Sequence, residues 1–151
     1  MRDSLPLPLK LQAADKDDLA VLSAFLQDAV IPVKEAVFVL AENRFVFVAN
    51  RFRWEDADRD THRQGTPIYE RVNCGVCFEH VAAVRQKGLD QHRRGQVVSL
   101  LALNVESKTI DLVLSAGALI QLEVDSILCH LQDIDDPWPT QWRPAHPLDA
   151  V

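Results

Sequence analysis

Two cysteines three residues apart, in Cys74-Gly75-Val76-Cys77, with His80 three further on, have the spacing closest to a metal or redox centre. A Cys-x-x-Cys pair can hold zinc or cycle between dithiol and disulfide, and Cys129-His130 offers one more ligand from elsewhere in the chain. The surroundings oppose both uses. The segment has strand character, and strand residues i and i+3 point to opposite faces. Nothing in it suggests the helix N-terminus that would lower a thiol pKa, and there is no second Cys-x-x-Cys. Small buried cysteines are the expectation, with zinc or thiol chemistry at Cys74, Cys77 and His80 as the alternative.

A second candidate is Asn50-Arg51-Phe52-Arg53-Trp54, where two guanidinium groups alternate with two aromatic rings. On a strand the arginines share one face and the rings the other. Guanidinium groups grip carboxylates or phosphates with two parallel hydrogen bonds, and aromatic side chains anchor interfaces. Arg71 on the following strand could join them, which makes Arg51, Arg53, Trp54 and Arg71 a candidate binding face. Against this, Phe52 and Trp54 can cap the core while the arginines pair with Glu55, Asp56, Asp58 or Glu70. The third candidate is the C-terminal run, where Trp138 and Trp142 stand among four prolines. Such a strap usually covers its own domain; otherwise the indoles would seal a homodimer or meet a protein partner.

Other chemistry has no support in the sequence. The five glycines do not cluster into a phosphate loop, and neither Gly-x-Ser-x-Gly nor His-Glu-x-x-His occurs. No cofactor is expected, and an enzyme is the less favoured class. The net charge of −6 opposes general binding to nucleic acid or to an anionic membrane. Residues 44–95 nevertheless carry 10 basic and 7 acidic side chains, so a basic lean sits inside an acidic chain. No apolar run reaches the roughly 20 residues of a membrane helix. The first residues do not read as a secretory signal, and an odd number of cysteines argues against a disulfide framework, so a cytoplasmic protein is expected.

The elements that would position these residues follow from hydrophobic period. Asp15 offers an N-cap, and Leu19, Leu22, Leu26 and Ala29 make an apolar stripe, which predicts a helix of about four turns ended by Pro32. Period two then takes over. Strands are expected at 33–40 and 44–54 around a turn at Glu42-Asn43, with the second running out to solvent near Asn50. The polar run 55–67 reads as a mobile loop. Strands return at 68–78 and 81–87, and 97–105, 110–115 and 118–124 form a meander. Residues 125–134 fit a short helix, with a closing strand nearly as good. The sum is an α+β, mainly antiparallel domain over 9–136, with one N-terminal helix and about seven strands. They would form a bent sheet or a pleckstrin-homology-like barrel, and 137–151 an extended tail packed on it.

Three stretches also carry a family resemblance: residues 18–30 (DLAVLSAFLQDAV), 44–55 (RFVFVANRFRWE) and 142–147 (WRPAHP). From about Leu9 to Pro147 the chain resembles an uncharacterised bacterial family catalogued as domain of unknown function 2948. The resemblance implies a compact bacterial cytoplasmic protein and brings no mechanism with it. The leading expectation is a non-enzymatic interaction or accessory domain.

Overall fold

A computed structural model of the chain describes residues 8–56, 62–63, 66–67, 69–90, 93 and 95–140. A short strand, β1 (Lys10–Ala13), leads into one helix, α1 (Lys16–Phe25). The Asp15 carboxylate caps the helix by accepting the Asp18 N–H at 2.7 Å, and Asp17 and Asp18 occupy the first turn, where the helix dipole favours acids. Leu19 and Leu22 bury the inner face.

The helix is ten residues long and stops well short of Pro32. Asp28 turns the chain with a positive φ of 61° and donates its N–H to the Leu100 carbonyl at 2.8 Å. Ala29 and Val30 therefore belong to β2 (Ala29–Pro32), which pairs with residues 97–100. Long-range pairing here outweighs the helical spacing of Leu26 and Ala29.

The expected hairpin forms in shortened shape. Residues 33–35 make a 3₁₀ turn, and only β3 (Val37–Val39) pairs with β4 (Arg44–Phe52), through a turn in which Asn43 adopts φ 54°. Past Trp54–Asp56, part of the run expected to be a mobile loop pairs as β5 (His62–Arg63) with β6 (Thr66–Pro67); residues 57–61, 64 and 65 lie outside the described residues. Next come β7 (Tyr69–Phe78), β8 (Val81–Lys87), β9 (Val97–Glu106), β10 (Thr109–Leu114), β11 (Leu119–Val124), β12 (Cys129–Asp133) and β13 (Trp138–Thr140).

Among the described residues eleven strands, rather than about seven, form one antiparallel sheet in the order β1-β12-β7-β4-β2-β9-β10-β11-β8, with β13 on β7 and β3 on β4. The predicted meander is β9-β10-β11. Residues 125–134 supply β12 and no helix, because alternate residues Cys129, Leu131 and Asp133 face inward between β1 and β7.

One face of the sheet carries the core: Phe45, Phe47 and Ala49 of β4, Val76 and Phe78 of β7, Leu112 of β10 and Leu122 of β11, with α1 packed on it. Bulges beside Leu114 and Val124 bend the strands. The sheet curls until the Val81 N–H of β8 reaches the Asn43 carbonyl at 2.8 Å, beside an Arg44–Glu79 ion pair at 2.6 Å. The joining goes no further, so this is a bent, unclosed sheet and not a barrel. Among the described residues no helix is long and apolar enough to cross a membrane.

Candidate functional site

Arg51 shares strand parity with Phe45, Phe47 and Ala49, and it follows them inward. It is 0% exposed, so β4 does not run out to solvent at this end. Its guanidinium is fully engaged inside the protein. Nε and Nη2 donate to the two Asp133 oxygens at 3.0 and 2.9 Å. Nη1 and Nη2 donate to the two Glu55 oxygens at 2.9 and 2.8 Å. The group also lies over the Phe25 ring, 6.0 Å from its centroid. Burial opposes the Arg51 charge, but the bonds from Glu55 and Asp133 outweigh it and hold its pKa above the ordinary value. Burial likewise works against the Glu55 carboxylate, and the same bonds overcome it and hold its pKa low. Asp133, which no local pattern singles out, also accepts the Leu9 N–H at 2.9 Å. A single cation thus ties β4, β12 and the chain leading into β1.

The other members of the expected face are also turned to structural work. Arg53 is 6% exposed and bonds Glu70. Trp54 donates its indole N–H to the Gln27 carbonyl at 3.0 Å and meets Phe52 edge-on at 4.7 Å. Arg71 differs. It is 9% exposed and donates Nε to the Asn50 side chain and Nη2 to the Asn50 carbonyl, while its buried Nη1 has no partner among the described residues. Burial lowers its pKa, with Asp28 acting the other way.

Strand alternation parts the cysteine pair. Cys74 faces the core, while Cys77 is half-buried on the opposite face, and His80 sits in the turn beyond with φ 59°. Register sets His130 across from Cys77, so Cys129-His130 does not complete a set with Cys74. Among the described residues no three of His, Cys, Asp or Glu converge on a point that would hold a metal. Burial pushes the Cys74 thiol up to about 12 and raises Cys129, while burial and Glu79 raise Cys77; a nucleophilic or redox cysteine needs the reverse. At pH 8, Ellman's reagent should therefore label at most Cys77 in the native protein, slowly, and all three thiols in guanidinium chloride. Fast labelling of two native thiols would contradict these environments. In the tail, Trp138 stands opposite Arg71 in the β13–β7 ladder and is 36% exposed, whereas Trp142 lies outside the described residues.

An apolar concavity lies elsewhere, in the gap left by the incomplete curl. Beyond Val81 the β8 edge parts from the β3–β4 hairpin, leaving a cleft of about 330 Å³. Its walls are Ile31, Val33, Ala36, Phe38, Phe45, Val84, Leu89, Val98, Leu114 and Ile120, with only Lys34 and Gln86 polar. A mostly apolar concavity of this size with a few polar groups is the usual form of a small-molecule site. It opens six residues along β4 from Arg51, roughly 20 Å at strand rise. The Arg51 cluster and α1 thus hold one end of the curl, and the cleft opens the other. Sequence reasoning missed the cleft because it ran 33–40 together as one strand. The signal was Pro32 followed by Lys34-Glu35, which interrupts the alternation and lifts Val33 and Ala36 out of the ladder.

A family model described as a protein of unknown function (DUF2948) matches residues 9–146, the span over which the sequence resemblance runs. No curated protein and no solved structure matches the chain.

Proposed function

The chain belongs to the DUF2948 family, and from that premise we propose that it is a non-enzymatic accessory domain of the cytoplasm that binds a small apolar molecule in the cleft between β3 and β8. The observation that carries this is the apolar wall of the cleft, which is continuous with the core yet open at the seam of the sheet. Leaving such surface wet costs about 25 cal/mol per Å², so an apolar occupant is favoured. The test is titration with the neutral fluorescent probe N-phenyl-1-naphthylamine. We expect saturable enhancement in the wild type, lost in Ala36→Trp and in Val84→Phe, both of which fill the cleft from its rim. Absence of saturable binding to the wild type, or full binding to both folded variants, would remove the proposal.

Arg71 favours a second reading. A buried guanidinium with one unpartnered nitrogen is uncommon in a folded protein. A carboxylate brought by a protein partner would complete it on displacing the groups that cover Nη1, and the exposed Trp138 beside it could serve as an anchor. Charge reversal at Arg51 or Arg53 would test the fold and not this contact, so Arg71→Gln is the informative variant. A partner recovered with the tagged wild type and absent with Arg71→Gln supports the contact; equal recovery with both eliminates it.

A further inference from the structure

We propose that the natural occupant of the cleft is a free, single-chain aliphatic carboxylic acid, its chain between β3 and β8 and its carboxylate at Lys34. This rests on the cleft being a binding site at all, and it adds the ligand's class and orientation.

Three observations lead to it. The first is volume. A cavity of about 150 Å³ lined by aliphatic and aromatic side chains stays dry and accepts benzene. At 330 Å³ this cleft is about twice as large, which gives room for a chain of roughly ten carbons at ordinary packing density. The second is the shape of the walls. Phe38 and Val84 stand on the two strands that fail to meet, with Phe45, Leu114 and Ile120 deeper in the core. The space is therefore a slot between strands, suited to an unbranched chain.

The third is charge. Among the described residues, Lys34 is the single formally charged one lining the cleft, it has no ion pair, and no carboxylate lines the cleft. The adjacent Glu35 lines a different groove, with Val46, Cys77 and His130. Gln86 can donate its amide to the same oxygens, while Arg85 and Lys87 alternate onto the other face of β8, where Arg85 pairs with Glu123 at 3.4 Å. The mouth thus favours an anion over a neutral or cationic head of equal chain length.

The experiment is displacement of N-phenyl-1-naphthylamine by decanoate, decanol and decyltrimethylammonium. Decanoate should displace the probe at a concentration about tenfold lower than decyltrimethylammonium, with decanol between them. Lys34→Glu should weaken decanoate by about tenfold and strengthen decyltrimethylammonium, whereas Lys34→Arg should preserve the wild-type order. Because Lys34 is exposed, neither variant should alter the melting temperature appreciably. Equal displacement by the three heads, or an unchanged decanoate midpoint in Lys34→Glu, would overturn the proposal while leaving a cleft that binds apolar molecules. Failure of the probe itself to bind would instead strike at the cleft as a site.

Discussion

Arg51→Met should lower the melting temperature by about 10 °C and unfold the protein at markedly lower urea. The side chain is wholly enclosed, and methionine is close enough in length to leave little void. The loss comes from what remains behind. Asp133, itself buried, keeps only the Leu9 N–H, and Glu55 loses both of its guanidinium bonds. Removing one partner of a buried ion pair costs about 3–5 kcal/mol. A chain of this size loses about 2–4 °C per kcal/mol. Arg51→Lys should also fail, since one ammonium cannot bridge two carboxylates. Arg51→Met/Asp133→Asn should recover part of the loss, because an amide at that position still accepts from the Leu9 N–H without carrying a stranded charge. A double variant no better than the single one would show that packing, not charge, dominates.

The same cluster sets an acid limit. With the folded pKa of Glu55 held below its unfolded value, its contribution is complete above about pH 4.3 and is lost as pH falls through the folded pKa. Urea midpoints should therefore drop below about pH 4, and Glu55→Gln should flatten that part of the profile. An unchanged slope in the variant would assign the acid limit to other carboxylates.

Phe78→Ala is the second large effect, about 4 kcal/mol. Phe78 is fully buried where β4, β7 and β12 meet, opposite Phe45 and Cys129, and its ring stacks with that of Phe47 at 6.4 Å. The vacated space is enclosed by strands that are themselves paired, so little can collapse into it. Phe45→Ala removes the same kind of ring from the wall of the cleft, where the new space joins an existing opening. Its cost should be nearer 2–3 kcal/mol, roughly, and it should admit a longer chain than decanoate. Equal losses in urea denaturation would mean that the cleft wall is as tightly closed as the centre of the sheet.

Local signals in the sequence carried much of the fold. The period-two runs marked β7, β8 and the β9-β10-β11 meander to within a residue or two, and Asp15 marked the start of α1. Errors came where distant pairing decides. Ala29 continues a helical stripe in sequence but pairs with Leu100, and Leu131 fits a helix until β1 and β7 flank it. The candidate site divides in the same way. Parity alone put Arg51 with Phe45, Phe47 and Ala49, but its charge led the sequence reading to send that end of the strand out to solvent, where the structure buries it. Its partner Asp133 was not legible, being 82 residues away with nothing local to mark it. The cleft was hidden for a related reason: its walls come from several separate segments, and no single one of them looks like a site.

That separation between Arg51 and Asp133 has a consequence during synthesis. The ribosome adds about 5–20 residues per second, so Arg51 emerges roughly 4–16 s before the aspartate that completes its pairing. Through that interval Arg51 has Glu55, four residues on, but not Asp133, and β4 is an apolar strand with a charged, still hydrated pair on its inward face, which discourages its burial against any neighbouring nascent chain. The charge that later fastens the sheet serves first as a gatekeeper, and its hydrogen bonding is completed only when β12 brings Asp133.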